Sequence, residues 1–242
     1  MTGRSELHGQ VAIVTGAGRG VGHAVAMALA HEGATVVLAA RTRQQLAATA
    51  AAIRESGGTA LAIPTDVTQD GAVEAMVEEA VAELGRVDTL VTAAGAASFG
   101  PVVGTKPSDW DAILAVNLRA VMVCCRAVLP IMIRQHRGTI INIASIAAQR
   151  AIPGAAVYTA TKAGVVGFSR VLAEELRSEG VRVGVLVPGA VDTPLWDAIP
   201  NPPDRSRMLR PEDVARGAVL MASLPPGASL EELTLLPQGG IL

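Results

Sequence analysis

Aromatic side chains are almost missing from this chain, making up 2% of its 242 residues. A core without rings has to be filled by Ala, Val, Ile and Leu, and that filling suits parallel strands buried on both faces. Cysteine is equally sparse. Cys124 and Cys125 are adjacent, too close for an ordinary disulfide and wrongly spaced for a zinc site, so they read as small packing residues on a helix and no metal site is expected. Net charge is −2 with no long run of one sign, which argues against nucleic acid or an anionic membrane as partner. Charged or polar groups interrupt the apolar stretches before spanning length, and the opening MTGRSELHGQ has no apolar signal region. The expectation is a cytoplasmic protein with a small-molecule partner.

What is there alternates. Short apolar runs, VAIVT (11–15), TVVLA (35–39), ALAIP (60–64), DTLVT (88–92), TIINIA (139–144), VRVGVLV (181–187) and ELTLLP (232–237), predict strands. Amphipathic stretches near 20–32, 42–56, 70–84, 108–136, 155–179 and 211–223 predict helices between them. Strict alternation implies an α/β fold: a doubly wound, seven-stranded parallel sheet flanked by helices, one domain over 1–242. The exception is the Pro- and charge-rich segment from Pro188 to Asp213. Following a strand's carboxyl end, it reads as a substrate lid at about 190–212, with a disordered loop as the alternative.

A glycine-rich turn, TGAGRGVG, follows the first strand and opens the first helix, with Val21 between Gly20 and Gly22. Gly16, Gly20 and Gly22 there allow close backbone approach to phosphate, and the helix aims its N-terminal N–H groups at the anion. A dinucleotide is the expected ligand. At the end of the second strand, where an acidic residue would bind a ribose 2′-hydroxyl, the chain has Ala40 and then Arg41. Arg41, with Arg19 as second cation, would attract a 2′-phosphate, which predicts NADP(H) rather than NAD(H). Asp66 and Val67 after the third strand fit the adenine amino group and ring; an N-cap or Asx turn is the competing reading of Asp66.

Chemistry is expected from Tyr158 and Lys162 in YTATK, which helical spacing puts on one face. An ammonium beside a phenol favours the phenolate, so the lysine should lower the phenol's pKa and make a proton donor and acceptor. Ser145 ends the strand-like run TIINIAS. A reactive oxygen hydrogen-bonded by Ser145 and protonated by Tyr158 is the arrangement that carbonyl and alcohol redox on a nicotinamide needs.

In order and spacing, TGAGRGVG, DV at 66–67, AAG at 93–95, Asn117 in VNLRA, Ser145, YTATK and PG at 188–189 resemble the short-chain dehydrogenase/reductase family across essentially the whole chain. The resemblance implies a Rossmann-type fold with Asn117, Ser145, Tyr158 and Lys162 as catalytic tetrad, Asn117 kinking its helix and holding a water that links Lys162 to solvent. It also implies that Ala93, Ala94 and Gly95 approach the cofactor by their backbone. Pro188, Gly189, Val191 and Thr193 would meet the nicotinamide, and a homotetramer or homodimer would form through the two long helices. One departure stands out: where the family commonly has Asn-Asn-Ala-Gly, this chain has Thr92-Ala93-Ala94-Gly95, losing two amides that would tie neighbouring loops.

The substrate is expected to meet Phe99, Gln149, Ile152 and Trp196, mostly apolar groups, so an aromatic or medium-chain ketone fits better than a sugar phosphate. The chain is also similar to bacterial 3-oxoacyl-carrier-protein reductases, but AASFGPVVGTKPSDWD after Gly95 lacks a basic segment and looks closer to broad carbonyl reductases. The alternatives are a thioester reductase and a noncatalytic NADP-binding regulator. Gly239 and Gly240 let the tail either reach a neighbouring subunit's site or fray.

Overall fold

Continuous apolar runs can be buried on both faces of a sheet only if helices cover both, and the chain folds that way. The structure, a computed structural model, describes residues 7–199 and 202–241. The first half runs β1 (Val11–Thr15), α1 (Gly20–His31), β2 (Thr35–Ala40), α2 (Arg43–Glu55), β3 (Thr59–Pro64), α3 (Asp70–Leu84) and β4 (Thr89–Thr92). The second runs α4 (Pro107–Leu114), α5 (Ala120–Gln135), β5 (Gly138–Ile143), α6 (Ala156–Leu176), β6 (Val181–Pro188), α7 (Pro211–Ala222) and β7 (Glu232–Leu235). The strands form one parallel sheet of seven in the order β3-β2-β1-β4-β5-β6-β7. Chain order therefore reverses between β1 and β4, the place where open α/β sheets leave a crevice at the carboxyl edge.

Alternate residues of the strands divide the interior in two. Ile13, Val37, Leu90, Ile140 and Val183 pack on α3, α5 and α6, whereas Val14, Leu38, Val91, Ile141 and Leu186 pack on α1, α2 and α7. Both cores are aliphatic, as the composition requires. Cys124 and Cys125 are free and buried in the first of them, and burial pushes the Cys124 thiol up to about 12 and that of Cys125 higher still.

The helix expected over 108–136 is interrupted. Ala115–Arg119 forms a π-helical turn between α4 and α5, and it carries Asn117. A π turn adds a residue to the helical repeat and re-aims one side chain; here it turns that of Asn117 into the protein, where it is fully buried. The same run, Pro107–Gln135, is long and apolar enough by composition to cross a membrane, with a mean hydropathy of 1.9. Charges still interrupt this run, but between Asp111 and Arg134 they are only Arg119 and Arg126, few enough for the mean to stay high. Its inner face is a core face, with Val121, Cys124, Cys125, Val128 and Met132 against the sheet.

The missing amides after β4 are replaced by partners on adjacent strands. Thr92 pairs in register with Asn142 of β5 and donates its hydroxyl to the Asn142 Oδ1 at 2.7 Å, while Asn142 Nδ2 donates to Ser169 Oγ of α6 at 2.9 Å. Thr15 Oγ1 accepts from the N–H groups of Ala93 and Ala94 at 3.2 and 3.3 Å. The loops are tied after all, by hydroxyls. Thr92→Val strips the buried Asn142 oxygen of its shortest bond, and the expected cost is roughly 1–2 kcal/mol, read as a lower denaturant midpoint at unchanged slope.

Candidate active site and cofactor cleft

At the carboxyl edge of the sheet lies a cleft of about 950 Å³. Its floor is made by glycines. Gly16 and Gly20 have φ of +68° and +58°, in the region that favours glycine, and a Cβ on Gly16 would lie 2.8 Å from the Ala94 backbone. A Cβ on Gly22 would collide with the Gly16 carbonyl. No side chain caps α1, so its first N–H groups remain available to a ligand. Arg19 and Arg41 are exposed on the cleft wall, and among the described residues neither is held in an ion pair. A glycine floor, uncapped amides and two unpaired guanidinium groups fit a phosphorylated dinucleotide.

Asp66 realises the competing reading: its Oδ1 accepts from Thr68 N at 3.0 Å and Thr68 Oγ1 at 2.8 Å, an Asx turn before α3. These bonds, and then the charge of Arg41, hold its carboxyl below the usual range. It nevertheless lines the cleft, with Val67 beside it.

The opposite end of the cleft is built on α6. Tyr158 and Lys162 stand one turn apart on it, and the Lys162 Nζ lies 5.8 Å from the phenol ring centroid. Lys162 is only 6% exposed and donates to the Ile143 carbonyl at the end of β5 at 2.9 Å. Burial drives its ammonium down to about 8. Burial also pushes the half-buried Tyr158 phenol up, and a hydrogen bond with Ser145 pulls the other way. The expectation that the lysine makes the phenol acidic is thus not met in this state of the protein, where removal from water outweighs the hydrogen bond with Ser145. Ser145 follows β5, and its Oγ accepts from Ala147 N at 3.2 Å.

Asn117 sits behind these groups rather than on the cleft wall. Its amide is engaged by Ala96, accepting from the N–H at 2.9 Å and donating to the carbonyl at 2.8 Å, and donates further to Thr161 Oγ1 at 3.3 Å. The π turn is thereby stitched to the segment after β4 and to α6. A Cβ on Gly95 would come within 3.3 Å of the Asn117 Oδ1, pressing on that amide, and within 3.9 Å of the Lys162 Nζ, an ordinary contact.

Burial of Lys162 makes stability pH-dependent. Its folded pKa of about 8 lies below the ordinary 10.5, so the unfolded chain binds the extra proton between those values and folding gains as pH rises through them. Measured against Lys162→Met, the wild type should gain up to about 3 kcal/mol in relative stability from pH 7 to 10.5. A difference that is flat with pH in denaturant titrations would mean the ammonium is not desolvated.

Pro188, Gly189, Val191 and Thr193 lie where expected, along the cleft after β6, and the Thr193 methyl would be 3.3 Å from a Cβ on Gly20. All the sequence-predicted cofactor residues line this one cleft, as do Ser145, Phe99, Ile152 and Trp196. Gln149 does not. Its amide donates instead to Glu232 of β7 at 2.5 Å, because the turn Ile146–Ala148 directs it outward. Missed by sequence reading were Thr15 and Asn142, whose only signal was a polar residue at a buried strand position, and Ile241, which lines its own chain's cleft. The lid segment has residues 200–201 outside the described ones; around them, Val191 bridges Leu209, and Arg205 binds Asp192, Asp197 and the Thr193 carbonyl.

Comparison with known proteins agrees with this geometry. The short chain dehydrogenase family matches residues 10–203. A 3-oxoacyl-[acyl-carrier-protein] reductase of Synechocystis sp. is 36% identical over 98% of each chain. The short-chain reductase protein NovJ of Streptomyces niveus is 46% identical over 78% of this chain and 72% of its own. Among solved structures, a metagenomic short-chain oxidoreductase in complex with NADP superposes with a TM-score of 0.86 at 39% identity, covering 96% of this chain and 99% of the other. A short-chain type dehydrogenase/reductase from Mycobacterium marinum gives 0.90 at 31% identity, over 97% and 96%.

Proposed function

The chain belongs to the short-chain dehydrogenase/reductase family of oxidoreductases, and on that premise we propose that it is an NADP(H)-dependent enzyme interconverting a ketone or aldehyde and its alcohol, with Tyr158 as acid and base. The observation that carries this reading is the convergence of Ser145, Tyr158 and Lys162 at one end of a glycine-floored cleft whose other end holds Arg19 and Arg41.

When bound, the nicotinamide supplies or accepts the hydride at the carbonyl carbon. The chain's own residues manage position and one proton. In reduction, Tyr158 Oη gives its proton to the carbonyl oxygen as charge builds there, and Ser145 Oγ hydrogen-bonds that same oxygen. A phenol held up by burial keeps its proton at neutral pH, which suits the acid. The Lys162 ammonium lies beside it, fixed by the Ile143 carbonyl. Asn117 acts at one remove, holding α6 and the segment after β4 in register through Thr161 and Ala96. Arg41 and Arg19 would take the 2′-phosphate, and segment 190–212 would act as lid.

Following NADPH absorbance with a panel of ketones and aldehydes tests the reading; no oxidation with any of them would overturn it. A second reading, reduction of a 3-oxoacyl thioester, is favoured by the full-length similarity to the Synechocystis reductase. Turnover of acetoacetyl thioesters but not of simple ketones would select it. We further propose a cytoplasmic location and, because Met122 on α5 and Val171 on α6 are 37% and 60% exposed on the long helices, a homotetramer or homodimer. Light scattering at micromolar concentration should then give a multiple of the 24.7 kDa chain mass.

A further inference from the structure

A chain with 2% aromatic residues has placed most of them together. Phe99, Tyr158 and Trp196 meet at the substrate end of the cleft, leaving only Trp110 and Phe168 elsewhere. The Phe99 ring lies 6.0 Å from that of Tyr158 at 45°, and 6.1 Å from Trp196 with planes only 9° apart. Phe99 comes from the segment after β4 and Trp196 from the turn Pro194–Ala198 after β6, so the parallel rings stand on opposite lips.

The rings pack on one another and on Tyr158 rather than into either aliphatic core, to which neither Phe99 nor Trp196 belongs. Trp196 is held in place independently of Phe99: its Nε1 donates to the Val191 carbonyl at 2.8 Å. Arg205 pins the same turn, donating to Asp197 at 2.8 Å and to the Thr193 carbonyl at 3.2 Å. The remaining walls near them are apolar, including Ile152, Ile199 and Ile241. The charged residues lining the cleft are Arg19, Arg41 and Asp66 at the far end and Lys162, whose ammonium the Ile143 carbonyl holds. Among the described residues, a carboxylate or phosphate on the substrate would find no free cation lining this end of the cleft.

We propose that Phe99 and Trp196 form an aryl clamp, a stacked pair on which an aromatic ring seats without parting the two, so that the substrate is an uncharged carbonyl compound bearing an aromatic ring next to the reacting carbon. This rests on the proposed carbonyl chemistry at Tyr158 and narrows it to one class. Near-parallel planes offer a π face, and ring pairs gain from that face beyond the area they bury. With Phe99 one ring away from Tyr158, an aryl group seated on the clamp leaves its attached carbonyl beside the phenol and Ser145.

The test uses acetophenone and cyclohexyl methyl ketone, which share a skeleton and differ in the π face. Calorimetric titration of each into NADPH-saturated Tyr158→Phe protein, in which Tyr158 has no proton to give, reads binding alone. Acetophenone should bind about 3- to 10-fold tighter, and adding Trp196→Leu should bring the ratio to about 1. Phe99→Leu, on the other lip, should do the same and serves where the tryptophan variant does not fold. Equal affinities at the outset, or a preference that survives both substitutions, would overturn the clamp. The kcat/KM ratio of the active enzyme separates the two readings. Turnover of both ketones without an aryl preference removes the clamp and leaves the redox reading. Aryl-selective binding without turnover of either removes the redox reading and leaves the clamp.

Discussion

Tyr158→Phe should lower carbonyl reduction by about 10²–10⁴-fold while leaving the NADPH dissociation constant within about threefold, because it removes only the hydroxyl, with its proton and its hydrogen bond to Ser145. The ring stays. Its packing against Phe99, at 6.0 Å and 45°, does not involve the hydroxyl, and Lys162 keeps its bond to the Ile143 carbonyl. Single-turnover NADPH oxidation and a fluorescence titration of the cofactor measure the two halves separately. Activity within about tenfold of wild type would move the proton to another group, and a matching loss of cofactor affinity would make Tyr158 a structural residue. The pH profile adds a check. Burial holds the phenol up and brings the lysine ammonium to about 8, so both carry their protons at neutral pH. In wild type, reduction should hold through neutrality and decline above about pH 8 as the ammonium loses its charge.

Arg41→Asp should lower kcat/KM with NADPH by roughly 10- to 100-fold and leave NADH within a few-fold, since only a 2′-phosphate distinguishes the two and a bond to a charged group is worth about 1.5–3 kcal/mol. The substitution also sets a second carboxylate near Asp66, whose own acid is held down by the Thr68 bonds and by Arg41. Arg41 is exposed, so the wild-type preference should weaken with ionic strength as screening shortens the reach of its charge. Arg19→Ala should act in the same direction and less. Wild-type protein that uses NADH as efficiently as NADPH would end the assignment, and so would an Arg41→Asp variant whose cofactor ratio is unchanged.

The sequence by itself determined the fold and most of the cleft. Continuous aliphatic runs of strand length are buried on both faces of a parallel sheet, and a glycine turn between β1 and α1 can only face the carboxyl edge. That is why the strands lie within a residue or two of their predicted bounds, as do the helices apart from the interrupted one over 108–136 and the end of α6 at Leu176, and why Gly16, Arg41, Ser145 and Tyr158 all line one cleft. Only the tertiary structure decided what depends on distant partners. Spacing could not tell that Gln149 turns away to Glu232, that Thr15 and Asn142 replace the missing amides, or that Asn117 works from behind through Ala96 and Thr161. Nor could it set the balance at Tyr158, where the spacing guarantees a nearby ammonium but burial, a property of the assembled fold, holds the phenol up. Local periodicity fixes which face a residue takes; solvation and hydrogen-bond partners arise from segments far apart in the chain, and these exist only once the sheet has closed around them.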